Sequence, residues 1–239
     1  MAYKKVALAA LTLLLASCGT LQKQAFDGTK TYALVSIACN DKISVNSGNQ
    51  AGGPASILGM VQSVGKDVGY SEKAEPVFKE ILPEIKTAFR QDRHFKLLPE
   101  NKVLRSAAYK NVAGEDPKGF FVSMVLPDKY KLIRDKDQLK QLARDLNVDG
   151  VITVSVYMGY GFSGLNLGGL VSAGAHSAKV GYLIAAVDRD GNTLWSDNIE
   201  VVSDKSVPAL GDAVNFPKLE PLLVATAKKG VHDVLHKLD

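Results

Sequence analysis

The chain has 239 residues, 46% of them hydrophobic, which is enough for one domain with a sizeable core and too few for two comfortable ones. Lys and Arg total 29 against 25 Asp and Glu, a formal charge of +4, but no dense basic run with interleaved aromatics is present, which argues against a nucleic-acid partner. Two cysteines exclude a disulfide framework.

At the N-terminus, Lys4 and Lys5 precede an apolar run from Val6 to Leu15 interrupted only by Thr12. Charge followed by a short apolar stretch is the order of an export signal. A run of about ten residues is too short for a permanent span, which needs roughly 20. The run ends in Leu15, Ala16, Ser17 and Cys18, which resembles the lipobox of bacterial lipoproteins. That resemblance implies cleavage after residue 17, a diacylglyceryl group on the Cys18 thiol and an acyl chain on the freed amine. One acyl chain holds a protein on a membrane only marginally, whereas two or three hold it durably. Gly19, not Asp, follows Cys18, and for a Gram-negative source this implies the outer membrane, facing the periplasm. The competing reading of Cys18, a buried cysteine or a disulfide with Cys39, leaves the preceding charge, run length and small residues unexplained. Cys39 itself reads as a small buried hydrophobe.

Removal of residues 1–17 takes Lys4 and Lys5 away, so 222 residues remain with 27 basic against 25 acidic groups, a charge of +2. Residues 18–30 are polar and read as a lipidated tether, leaving 31–239 as a single α/β domain. Tyr32 to Ala38 has the length and apolarity of a strand, and 40–54, rich in Asn, Ser and Gly, reads as loop. In 55–69, Ile57, Leu58, Val61, Val64 and Val68 recur at helical spacing, either covering the domain or touching a partner. From Ser71, the residues Ala74, Val77, Phe78, Ile81, Leu82, Ile85, Ala88 and Phe89 fall on one helical face. Pro76 suits its first turn, and Pro83 should bend or divide it.

Phe95 to Leu98 reads as a short strand and Glu100 to Tyr109 as a short helix. Segment 111–132 has no clear period: Phe120 to Leu126 is apolar enough for a strand, but Pro127 and neighbouring charges interrupt it. Asp137 to Leu146 is a helix ending at Asn147, with Asp149 and Gly150 turning the chain. Strands follow at Val151 to Phe162, Lys179 to Asp188 and Thr193 to Ser203, the last two joined by a tight Asp190-Gly191 turn. A closing helix, Phe216 to Leu238, has Asn215 as cap and Pro217 near its first position. The expected architecture is an α/β sandwich with a mixed sheet of about five strands, a C-terminal β-meander and packing helices.

That order, together with Leu142 to Val154, "LARDLNVDGVITV", resembles envelope modules built like the amino-terminal domain of TolB, the curli-secretion lipoprotein CsgG and the penicillin-binding-protein activator LpoB. The resemblance spans roughly Thr31 to the end and implies binding and assembly work at the envelope rather than catalysis. Gly159, Gly161 and Gly164 match a dinucleotide fingerprint in spacing, but no helix period follows and no acidic residue stands where the ribose partner should. His232 and His236 share a helix face at metal-pair spacing, yet no Glu follows His232, and an exposed polar face explains them. No cofactor, metal site or catalytic group is predicted.

The feature with most functional promise is the glycine-rich stretch 159–174, about sixteen residues joining two strands. As a docking tip it would present Tyr160, Phe162, Leu165, Leu167 and Leu170 to an envelope protein. As a pore subunit similar to CsgG it would enter the membrane with neighbouring copies, although its alternation stops near Phe162 and it offers few residues for two crossings. As an enzyme lid it would cover a site the sequence does not reveal. Homo-oligomers fit the first two readings.

Overall fold

The computed structural model describes residues 19–46, 71–118, 123–166, 172–210 and 214–239. The expected signal segment, Cys18, the helix at 55–69, and Leu167 and Leu170 lie outside them. The described residues form a mixed α/β fold in which one large sheet is packed by helices. The strands are β1 (Thr20–Leu21), β2 (Thr31–Asn40), β3 (Lys42–Asn46), β4 (Ser71–Lys73), β5 (Lys96–Leu97), β6 (Met124–Val125), β7 (Gly150–Asn166), β8 (Ser172–Asp188) and β9 (Thr193–Leu210). The helices are α1 (Glu75–Gln91), α2 (Glu100–Arg105), α3 (Ala107–Asn111), α4 (Lys136–Asp145) and α5 (Phe216–Leu235).

The main path of the sheet runs β1-β9-β8-β7-β2-β5, with β3, β4 and β6 branching from it. The five strands expected from the sequence are β2, β5, β7, β8 and β9, and four short strands add to them. β7, β8 and β9 form the antiparallel meander, and β2 joins it in parallel through Tyr32↔Gly150 to Cys39↔Val156. Gly150 does not turn the chain but opens β7. Its missing Cβ makes room for the Tyr32 ring, whose Cε1 would lie 2.8 Å from an added methyl.

One face of the sheet is buried under α1 and α5. Alternate residues of β7 and β8 point into this layer, including Ile152, Val154, Val156, Val180, Tyr182 and Ile184. Lys228 of α5 meets Glu80 of α1 at 3.3 Å, and His232 meets Glu84 at 2.9 Å, so the polar flanks of the two helices close over the core. α1 runs undivided through Pro83, which lies on the exposed side while Ile81 and Ile85 hold the buried face. Asn215 caps α5 by accepting a hydrogen bond from the Lys218 N–H.

The opposite face carries α2, α3 and α4 over β2 and the start of β7, with Ala33, Val35, Leu139, Leu142 and Val151 in a second apolar cluster. The described parts of segment 111–132, residues 111–118 and 123–132, find their place here. Met124–Val125 pairs with the end of β2, and the Lys131 ammonium donates to the carbonyls of Tyr109, Lys110 and Val112 at the end of α3.

The N-terminal tether is a second correction. β1 pairs antiparallel with β9, and Ala25 and Phe26 are buried. Phe26 stacks on Tyr32 at 5.1 Å between centroids and meets Trp195 edge-on at 5.8 Å. An aromatic group seated in a core outweighs the polar residues around it, so the fold begins by Thr20 rather than Thr31.

Candidate functional site

The glycine-rich stretch is mainly sheet. The β7–β8 ladder continues without a break from Gly159↔Lys179 to Asn166↔Ser172, so residues 159–166 and 172–174 of the expected sixteen-residue loop are strand, and 167–171 lie outside the described residues. Gly159, Gly161 and Gly164 therefore occupy ladder positions and do not precede a helix. Among the described residues the ladder runs six pairs beyond Tyr160↔Ala178.

The parity of β7 decides where its side chains go. Tyr160 belongs to the helix-covered face, is 1% exposed, and packs its ring 6.0 Å from that of Phe216 at the start of α5. Its place in an exposed tip is thus corrected: it shares the inward parity of Val156 and Met158, and α5 covers it. Phe162, half-buried, stands opposite His176 with ring centroids 5.2 Å apart. Leu165 pairs through its backbone with Ala173.

His176 is buried, and its Nδ1 has no hydrogen-bond partner among the described residues. Burial holds its pKa below the usual 6.5. The folded protein therefore binds this proton less readily than the unfolded chain, and the stability that neutral His176 contributes is lost as pH falls below about 6.5. His176→Gln should flatten the decline in melting temperature between neutral pH and moderate acid relative to the parent. An unchanged difference curve would show that His176 does not titrate in that range.

The outward parity of the meander makes a different surface. Ser155, Leu183 and Asn198 form one row across the three strands, Gly181 and Glu200 share the next with Tyr157, and Gly159, Lys179 and Val202 the one after. Leu183 and Val202 are the exposed large hydrophobics among the described residues, at 36% and 44%. Lys179 lays its stem over Gly161. Glu200 has a carboxyl oxygen buried without a partner, and burial raises its pKa against the opposing pull of Lys179. This surface mixes small residues, two apolar side chains and one cation–anion pair of groups. The two apolar side chains stand two ladder rows apart, and the surface lacks a nucleophile set beside a base. Its signal was in the alternation, since Leu183 lies out of phase with the buried Tyr182 and Ile184.

Along the outer edge, β9 advances four residues, Val202 to Ser206, while β8 advances two, Lys179 to Ser177. The resulting bulge is stitched by Ser203, whose hydroxyl accepts from the Ala178 N–H and donates to the Lys205 carbonyl. Between the bulge and α5 lies a cleft of about 240 Å³ lined by Val202, Leu222, Ala225, Thr226 and flanking polar groups.

The remaining candidates are occupied structurally. His232 faces Glu84, and His236 faces Asp239 at 2.9 Å. Asp239 also takes Arg93 at 2.6 Å, and these bonds, that from His236 foremost, hold its carboxyl down at about 2. Cys39 is buried, and burial pushes its thiol pKa up.

No family model matches the chain, and no curated protein matches it. Solved structures give low-scoring likenesses. The LpoB C-terminal domain from Salmonella enterica matches at 11% identity and TM-score 0.34, over 80% of this chain and 90% of that one. Lipoprotein GNA1162 from Neisseria meningitidis matches at 16% and 0.29, over 84% and 96%. Protein XCC0632 from Xanthomonas campestris matches at 10% and 0.35, over 92% and 87%. Likeness at this level carries no argument about activity, which has to rest on the residues themselves.

Proposed function

We propose that this chain is a lipoprotein of the bacterial envelope, anchored in the outer membrane through acyl chains on Cys18, whose domain binds a protein partner on the periplasmic side and performs no catalysis. The order Lys4-Lys5, apolar run, Leu15-Ala16-Ser17-Cys18 supports the anchor. The observation that carries the docking reading is the outward face of the meander, where Leu183 stands exposed on a rigid three-stranded scaffold. Apolar side chains on a rigid sheet lose little conformational entropy when a partner covers them.

The test is a Cys18→Ala protein exported behind a cleavable signal, followed by fractionation, native mass and crosslinking from Phe162 and Leu183. A soluble monomer or dimer that crosslinks through Leu183 to one envelope protein is the expected result. A Cys18→Ala protein that stays in the membrane as a large ring would overturn the reading in favour of a pore.

A further inference from the structure

The chain reaches the sheet from an unexpected direction. β1 is antiparallel to β9, with Thr20 opposite Ser196 and Leu21 opposite Trp195, so each step toward the N-terminus advances along β9 toward its far end. Gly19 already lies against the next residue of β9: a methyl group there would come within 2.9 Å of the Asp197 Oδ1 and 3.2 Å of the Ser196 carbonyl. One peptide link separates Gly19 from Cys18, and consecutive Cα atoms are about 3.8 Å apart. Cys18 lies outside the described residues, and the covalent link alone keeps its Cα within that distance of Gly19.

We infer that the outer edge of β9, from Asn198 to Lys205, together with the adjoining rim of α5, is the surface this domain lays on a phospholipid bilayer. The inference rests on Cys18 carrying the acyl chains. With a single residue between anchor and sheet, the domain has no slack to stand off. The chain points along β9 toward its bulge, so the bilayer lies beside that edge and not behind Leu21. The edge suits the position. On the side away from β8, β9 has no strand partner beyond Ser196 among the described residues, Val202 is exposed, and the cleft beside it is walled by Leu222 and Ala225.

Apart from Glu200, charge on this edge is matched. Lys237 is held by Asp197 at 2.8 Å, Lys229 by Asp233 at 2.6 Å, and Asp204 stands next to Lys205. Such a surface gains little from anionic lipid, so the short link, not electrostatic attraction, sets the orientation. The end of the meander at Leu210, opposite Ala173, lies ten β8 residues from the Asn198↔Leu183 pair, about 34 Å along the strand. The bilayer then covers Val202, and the outward face left to a protein partner is that of β7 and β8, with Leu183 exposed on it.

The experiment uses the full-length lipidated protein in vesicles of zwitterionic phospholipid bearing a headgroup quencher. A fluorophore is placed at Lys205→Cys on the β9 edge or at Lys102→Cys on α2, which packs over β2, about 14 Å and three strands away. Cys39 is buried with a raised thiol pKa, so labelling is confined to the introduced cysteine. The expected result is several-fold stronger quenching at Lys205→Cys, insensitive to salt. Inserting about ten Gly and Ser residues after Cys18, a reach of roughly 17 Å, should abolish the difference. Equal quenching at both sites in the protein without the insert overturns the orientation alone, provided the mass of the N-terminal peptide shows the acyl groups. A peptide without them overturns both the orientation and the anchor.

Discussion

Replacing Asn40 by Ala should lower stability by about 3 kcal/mol or more, although the residue is polar and sits at the end of a strand. Asn40 is 1% exposed, and its side chain stands at the point where β2 leaves the sheet and β3 takes its place beside β7. Its Oδ1 accepts from the Met158 N–H at 2.8 Å, while its Nδ2 donates to the carbonyls of Met158 at 2.8 Å and Lys42 at 2.6 Å. The amide thus continues the ladder for one step where no backbone is available. Truncation strands buried backbone groups of Met158, each costing about 1–3 kcal/mol when left unpaired. For a domain of this size the melting temperature should fall by about 6–12 °C. Thermal unfolding followed by circular dichroism measures it. A fall of less than about 2 °C would mean that water or a shifted β3 satisfies Met158 instead. Asn40→Asp is the sharper companion, because it keeps the acceptor and loses the donors.

Much of the sheet was legible because its long strands obey a period of two. Ile152, Val154, Val156 and Met158 mark one face of β7, and the same parity, carried one step further, places Tyr160 in the core. Grouping Tyr160 with a sticky tip set composition above parity, and parity prevailed. The extension of β7 and β8 to Asn166 and Ser172 was not legible, since glycine and serine leave alternation without contrast. In the structure, pairing to a neighbouring strand supplies what the side chains do not. Ser71–Lys73 is similar: three polar residues ahead of a helix become a strand because β3 offers them partners. Asn40 gave no sequence signal, as its role arises from where two strands diverge. The outward face at Leu183 could have been read, because a leucine out of phase with Tyr182 and Ile184 must point away from their core.

Trp195→Ala should have the largest effect, about 4 kcal/mol, and should release the N-terminal segment before the rest of the domain. Trp195 is fully buried on β9 and pairs with Leu21, and Phe26 closes over it edge-on. The strap from Thr20 to Phe26 is otherwise held by a few contacts. The Gln22 N–H donates to the Leu194 carbonyl at 2.9 Å, and the Tyr32 hydroxyl donates to the Ala25 carbonyl at 2.7 Å. Removing the indole empties a large volume beneath the strap, and the atoms left around it lose their dispersion partners outright. The Trp195 Nε1 lacks a partner in the native core, so part of the loss is offset by removing an unsatisfied donor. Trp195→Phe, which fills most of the space without the donor, should recover most of the stability. Limited proteolysis separates a local from a global effect, because cleavage near Lys23 should accelerate more than cleavage within α1. Uniform acceleration at both sites would show that the strap and the sheet unfold as one unit. The local outcome bears directly on the anchor. A strap freed from β9 becomes the flexible tether that residues 18–30 resemble in sequence, and the domain then gains the freedom to leave the bilayer surface while remaining attached to it.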